Sequence, residues 1–349
     1  MGRILFLAHR IPYPPIKGDK IRSWHFLRHL AESHEVSLAC FVDDPNDMAH
    51  TDVLRGICVE CHFEALPASP VRLGNLLALV NGTPITVRHF RHAGMLRRVA
   101  EMVERRSPDL VLAYSGAMAQ YLSVARGCRR VIDFADVDSD KWAQYARSCP
   151  PPTRWIYRRE ARTLLGFERR AAATAAASIF VSETEAALFR GLAPELAERI
   201  HAVRNGVDSQ YFSPDHVLAS PFPAGTVPVV FTGMMNYWAN VDAAQWFCRE
   251  ILPKLRVRIP ATEFWIVGAA PTPAVQSLSQ QPGVHVTGRV PDVRPYLRHA
   301  AVVAAPLRIA RGVQNKILEA MAMGCAVVTT PAAAEGVDGA LVGHELEAS

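Results

Sequence analysis

The 349-residue chain has no apolar run approaching the roughly 20 residues that cross a bilayer as a helix. It also lacks a secretory leader pattern. Met1, Gly2 and Arg3 run straight into an apolar stretch, residues 4–8, which is too short for an h-region and is soon followed by Pro12, Pro14 and Pro15. The expected location is therefore cytoplasmic, with the inner face of a membrane included. An excess of charge of one sign is missing too. The formal net charge of +5, carried more by arginine than by lysine, suits an anionic ligand or an anionic membrane surface, but not nucleic acid. The glycine fingerprint of dinucleotide-binding folds is absent after the first apolar strand, where the loop holds one glycine, Gly18; this argues against an NAD-dependent enzyme. No serine–histidine or cysteine–histidine signature points to covalent catalysis. Cysteine is sparse and odd in number, seven in all, so the thiols are expected to be reduced and mostly in the core. One spacing, Cys58-Val-Glu-Cys61-His62, matches the pattern of covalent haem attachment. It falls in an expected strand, where residues three apart point to opposite faces, and no export signal accompanies it, so it too reads as core cysteine.

What remains is an ordinary globular composition. Half the residues are hydrophobic and 20% are charged, and the length suffices for two α/β domains with full cores. Short apolar strands are expected at residues 4–8, 36–41, 58–63, 109–113, 131–134 and 178–181. Between them lie helices, among them 21–32, a basic one at 88–106 and a long one at 155–177. Such alternation implies parallel sheets covered on both faces. The long helix carries Arg158, Arg159, Arg162, Arg169 and Arg170 with Glu160 and Glu168; it reads either as a solvated, salt-bridged face or as a basic surface for anionic lipid heads or a pyrophosphate-linked acceptor. A stretch rich in proline, residues 213–228, is the expected linker between a first domain, 1–212, and a second, 229–349. The second half repeats the αβ rhythm without repeating the sequence. Strands are expected at 229–232, 263–267, 284–287 and 301–305, with helices at 241–257 and 293–300.

The most informative stretch is residues 311–330, a loop, a helix and a strand. Gly312 opens the helix, apolar Val313, Ile317, Leu318, Ala320 and Met321 line one face, and Gly324 stops it. A helix N-terminus offers N–H groups and a positive dipole end, which suits a phosphate. Lys316 and Glu319 are the charged residues of this helix, and either could be simply solvated.

The ordered set of motifs then gains a meaning. Val203-Arg-Asn-Gly-Val-Asp208 is followed by Val230-Phe-Thr-Gly233, Phe264-Trp-Ile-Val-Gly268, Val286-Thr-Gly-Arg289 and Gly312…Lys316…Glu319-Ala-Met-Ala-Met-Gly324. In this order they resemble glycosyltransferase family 4, the retaining sugar-nucleotide transferases of GT-B architecture, over nearly the whole chain. More narrowly, residues 17–24, 133–142 and 182–185 resemble the sugar transferases of exosortase (PEP-CTERM) systems in bacterial exopolysaccharide clusters. The resemblance implies an α/β fold of two Rossmann-like domains facing a cleft, with the nucleoside diphosphate sugar on the second domain. The acceptor, a growing glycan or one linked to a polyprenyl diphosphate, belongs to the first, with peripheral membrane association. Glu319 would accept the ribose hydroxyls, N–H groups at Gly312 and Val313 would face the sugar or diphosphate, and Gly233 would let the backbone approach the diphosphate. Lys316, Arg289 and Arg311 are the candidate cations for the diphosphate, and the loop Lys17, Gly18, Asp19 and Lys20 is the candidate acceptor or phosphate loop.

Two departures stand out. The family keeps a glutamate eight residues before the ribose-binding one, and here that position is Arg311. A guanidinium there suits a carboxylate-bearing sugar or the diphosphate. The basic pair that often follows the glycine of the second domain's first strand is also missing, since residues 234–240 carry no cation. Asp136-Val-Asp138 matches the metal-binding pair of the other major transferase fold. In a GT-B order no metal and no cofactor is expected, and these aspartates either orient the acceptor hydroxyl or cap a helix at Lys141. His9, beside Arg10 in the loop after the first strand, either enters the cleft or is a hydrogen-bonded structural histidine. The implied reaction retains the anomeric configuration: the diphosphate leaves an oxocarbenium-like centre, and the acceptor attacks from the same face. The alternatives are a sugar-nucleotide epimerase or hydrolase on the same frame, or an inactive nucleotide-binding relative. Family members usually continue through further C-terminal helices, which are expected to be missing before Ser349.

Overall fold

The structure is a computed structural model and describes residues 1–15, 18–66, 82–310, 312–334 and 337. The chain divides into two compact units, residues 1–204 and 205–349. The first holds a seven-stranded sheet of order β3-β2-β1-β4-β5-β6-β7. Its strands are β1 Arg3–Ala8, β2 Glu35–Val42, β3 Glu60–Ala65, β4 Leu110–Tyr114, β5 Arg129–Ala135, β6 Ala177–Phe180 and β7 Ile200–Ala202. Every pairing is parallel. The central strands are continuous apolar runs because both faces are covered: Leu5, Leu7 and Val111 pack into one core layer, and Ile4, Phe6 and Leu38 into the other. The second unit holds a five-stranded parallel sheet of order β10-β9-β8-β11-β12, formed by β8 Val227–Thr232, β9 Thr262–Val267, β10 Val284–Gly288, β11 Val302–Ala305 and β12 Val327–Thr329.

The helices used below are α1 Gly18–Ser33, α2 Ala93–Arg106, α3 Asp138–Ser148, α4 Thr153–Thr174, α5 Glu183–Leu192, α6 Trp238–Trp246 and α7 Asn315–Ala322. Several boundaries differ from expectation. The helix expected at 21–32 starts at Gly18, so Asp19 and Lys20 lie in its first turn and not in a loop. The basic helix expected at 88–106 is two helices, Ile85–His89 and α2, broken at residues 90–92. The helix expected at 241–257 is interrupted by a wide turn at Phe247–Ile251 ahead of Pro253. Gly312 does not open α7. It sits in the preceding turn with φ 61°, while Gly324, with φ 71°, ends the helix as its spacing implies.

The proline-rich stretch expected to be a linker is packed onto the second unit. Phe212, Leu218 and Phe222 join a core layer with Trp265 and Tyr296, and Arg294 lies over the Tyr211 ring at 3.9 Å while pairing with Asp292. Prolines stiffen this segment, and its aromatic residues staple it down; the divide between units falls instead at Arg204 and Asn205.

The long helix α4 departs furthest from its sequence reading. Arg158, Arg162, Arg169 and Arg170 are exposed, but Arg159, Glu160 and Glu168 turn inward. Glu160, 1% exposed, accepts hydrogen bonds from the N–H groups of Ile85 (2.7 Å) and Thr86 (2.8 Å), which open a short helix; Glu168 accepts one from Ser139 N–H (3.1 Å) in the first turn of α3. These carboxylates satisfy N–H groups that have no partner inside their helices. Among the described residues no helix is long and apolar enough to cross a membrane.

Candidate functional site

In an open parallel sheet, ligands bind beyond the carboxyl ends of the strands, where the strand order reverses direction. Each sheet has such a point; Gly233 and Lys316 lie by it in the second unit and His9 and Asp19 in the first, while Arg289 follows the edge strand β10 and Asp136 and Asp138 follow β5.

In the second unit the reversal lies between β8 and β11. Three strands end in glycine in a hydrogen-bonded row: Gly233 N–H donates to Val267 O (3.1 Å), and Gly268 N–H to Gly288 O (3.2 Å). A side chain at Gly268 would lie 1.7 Å from Gly233 O, so this position excludes every larger residue. Gly233 adopts φ 150°, and a Cβ there would meet Asn240 Nδ2 at 2.8 Å and Lys316 Nζ at 3.0 Å. The missing side chain therefore leaves a backbone surface bordered by an ammonium group. Lys316 Nζ reaches it from α7, donating to Asn240 Oδ1 (2.8 Å) and resting 4.5 Å from the centre of the buried Phe231 ring. Burial pushes the Lys316 ammonium down to about 7, with Glu319 acting in the opposite sense. Burial pushes the Glu319 carboxyl up to about 7, with Lys316 opposing. A cation held this way, without a carboxylate in contact among the described residues, is set to receive an anion. Asn240 was not selected from sequence; its only signal was a position one turn into the helix after the glycine loop. Gly312 and Val313 lie in the turn before α7, and Arg289 is exposed after the edge strand β10, next to Gly288. Arg311 lies outside the described residues.

In the first unit the reversal lies between β1 and β4. His9 and Arg10 follow β1, Asp43 follows β2, Tyr114 ends β4 and Asp19 opens α1. Asp19 Oδ2 holds His9 Nε2 at 3.3 Å and Arg10 Nη1 at 2.6 Å, and Arg10 Nε meets Asp43 at 2.9 Å. Burial raises the Asp19 carboxyl, but His9 and Arg10 outweigh it and hold the group well below the usual carboxylate range. His9 stacks on Tyr114 and meets Phe90 edge-on, both at 5.7 Å, so its ring is fixed. Tyr114 Oη donates to Asp19 O (2.8 Å). Lys20, assigned from sequence to a phosphate loop, points inward and pairs with Asp47 at 2% exposure, because the early start of α1 turns it to the buried face. Lys17 of that loop lies outside the described residues, and Gly18 is the first residue of α1.

Asp136 and Asp138 both bind Lys141, at 2.7 and 3.2 Å, in the turn joining β5 to α3. The two carboxylates raise the lysine's proton affinity against its burial. Glu168 lies beneath this trio. Burial pushes its carboxyl up to about 8, opposed by its hydrogen bond with Ser139. Glu185 of α5 accepts from Val137 N–H (2.7 Å). Below them, Arg22 Nε meets the fully buried Asp133 at 2.9 Å, and its Nη1 donates to Val203 O (2.8 Å). Among the described residues no group of three or more His, Cys, Asp or Glu side chains is placed to hold a metal ion.

Comparison with known proteins fits this arrangement. Residues 227–348 match the family model described as glycosyl transferases group 1. Among solved structures, HepE from Anabaena in complex with UDP-glucose is 18% identical, covers 97% of this chain and 83% of its own, and superposes with a TM-score of 0.63. Sucrose-phosphate synthase from Thermosynechococcus elongatus is 16% identical, with 96% and 82% covered and a TM-score of 0.67. WaaG, a glycosyltransferase involved in lipopolysaccharide biosynthesis, is 16% identical, with 94% and 81% covered and a TM-score of 0.58. No curated protein matches the sequence. The second unit thus carries a glycosyl transferases group 1 domain, and the two parallel-sheet units have the fold of GT-B glycosyltransferases.

Proposed function

We propose that the second unit binds a nucleoside diphosphate sugar and that the chain transfers the sugar, with retention, to a growing glycan or a polyprenyl-diphosphate-linked acceptor held by the first unit. The observation that carries this reading is the seat at Gly233, where a half-buried ammonium with no carboxylate in contact among the described residues borders half-buried backbone, three residues before Glu319 in the matched domain. The complex of HepE with UDP-glucose supports a nucleotide-sugar ligand. In this reading Lys316 takes the charge of the departing diphosphate, in place of the basic pair absent after Gly233, and Glu319 accepts the two ribose hydroxyls. His9, fixed by Asp19 and Tyr114, and the Asp136–Asp138–Lys141 turn serve the acceptor side. The transfer needs no protein nucleophile; positioning and electrostatics lower the barrier. A role in exopolysaccharide synthesis beside an exosortase system, at the inner membrane surface, follows from the motif resemblance and belongs to the same proposal.

Titrating UDP and GDP calorimetrically into wild type and Glu319→Ala tests it. Loss of charge-assisted hydrogen bonds worth about 1.5–3 kcal/mol should weaken the binding nucleotide at least about tenfold. Wild type that binds neither nucleotide, or a variant that binds as well as wild type, would sink the assignment. Arg311 belongs to the donor sugar in this scheme. Arg311→Glu should change the ranking of donor sugars in a turnover screen while leaving UDP or GDP affinity within a few-fold, and equal loss of both would contradict it.

A further inference from the structure

The arginines of α4 fall into two groups. In the C-terminal half of the helix Arg169 pairs with Glu195 at 2.7 Å, as a salt-bridged solvated face would. In the N-terminal half Arg158 and Arg162 are exposed, and among the described residues neither meets a carboxylate. Arg147, exposed in the last turn of α3, is in the same position. Glu160 is the only carboxylate between residues 141 and 167, and it is buried against the N–H groups of Ile85 and Thr86. This part of the surface therefore carries cations with no acid of its own to repel an anion.

A large indole lies among them. Trp155 is 62% exposed, and it precedes Arg158 and Arg162 at spacings of three and four, so the three share one face of the helix. Residues 150–152, which join α3 to α4, are three exposed prolines without a backbone N–H between them. The helices behind this tip are braced. Trp142 and Tyr145 of α3 pack on Tyr157 of α4 with ring centres 5.0 and 6.4 Å apart, and Arg154 Nε donates to Cys149 O (2.9 Å).

We propose that the start of α4 and its connection to α3 dock on an anionic lipid surface, with Trp155 entering the headgroup layer and Arg147, Arg158 and Arg162 meeting lipid phosphates. Charge complementarity and the kinds of side chain favour lipid over a protein partner. An indole suits the boundary between headgroups and acyl chains, and guanidinium groups suit phosphodiesters. The prolines bring no N–H group that would lose its water there. The inference rests on the inner-membrane location proposed above and gives it a surface; it requires neither nucleotide nor turnover.

Flotation of the full chain with vesicles of phosphatidylcholine, and with vesicles of an equal mixture of phosphatidylcholine and phosphatidylglycerol, tests it. Wild type should bind the mixed vesicles, bind the neutral ones far less, and come off as salt is raised. Each arginine near an anionic surface is worth about fivefold in partitioning, so Arg158→Ala combined with Arg162→Ala should weaken binding about 25-fold. Wild-type tryptophan emission should shift to the blue on binding, a shift that Trp155→Phe loses. Arg169→Ala, which removes an arginine already paired, should bind nearly as wild type does. Urea-unfolding midpoints equal to that of wild type establish that the variants are folded. Binding to neither vesicle, equal binding to both, or undiminished binding by the double variant would overturn the proposal. So would a dimer in light scattering that Trp155→Ala dissolves, since the face would then belong to a second copy of the chain. No nucleotide enters the assay, so its failure leaves the nucleotide reading standing, and failure of the calorimetry leaves this surface standing.

Discussion

Lys316 and Glu319 sit three residues apart on α7, and burial acts on them with opposite sign. The Glu319 carboxyl rises from 4.5 to about 7, so the folded chain holds a proton there that the unfolded chain releases. Stability therefore falls as pH rises from about 4.5 to 7. The Lys316 ammonium drops from 10.5 to about 7, so the unfolded chain holds the extra proton, and stability rises from about pH 7 to 10.5. Their joint contribution is least favourable near neutrality, where the unfolded chain carries both charges and the folded chain holds both groups only part-charged. Urea-unfolding midpoints across this range should show that minimum, and Lys316→Met should remove the rising limb above pH 7; an unchanged limb in the variant would refute the assignment. A bound diphosphate draws the proton back onto Lys316, so nucleotide affinity should weaken as pH climbs above about 7.

At the scale of elements, α4 acts as a brace whose buried carboxylates hold the starts of other helices. Glu160→Ala would strand the N–H groups of Ile85 and Thr86 in a buried setting, a loss on the order of 2–3 kcal/mol. Glu160→Gln keeps one acceptor and should cost less. Chemical denaturation separates the two, and equal, negligible effects would show that water replaces the carboxylate. None of this was legible in sequence. Glu160 meets its partners 74 and 75 positions away and Glu168 meets Ser139 29 away, while local spacing offered only arginines as neighbours. The same blindness to distance hid Asn240 behind Lys316, and hid Asp47, which draws Lys20 inward. Strands were more readable because burial on both faces makes them unbroken apolar runs; their ends shifted, and the three-residue edge strand β7 went unread. The break at residues 90–92 and the early start of α1 depend on tertiary contacts, such as Tyr121 Oη donating to Phe90 O and accepting from His92 N–H, that periodicity does not register.

At the scale of the whole molecule, both units place their charged and glycine-bearing loops at the carboxyl edges of parallel sheets. The two-domain α/β architecture and the glycine-ended strands of the second unit could be read from motif order alone. The domain divide could not, because proline content marks stiffness and says nothing of which body a segment packs on. The central claim is that the nucleotide binds on the second unit at the Gly233–Lys316–Glu319 seat. Hydrogen exchange followed by mass spectrometry, with and without a saturating concentration of whichever of UDP or GDP binds, tests this most directly. The account predicts slowed exchange in peptides covering residues 231–240 and 312–322. Protection confined to the first unit, with those two segments exchanging unchanged, would contradict it.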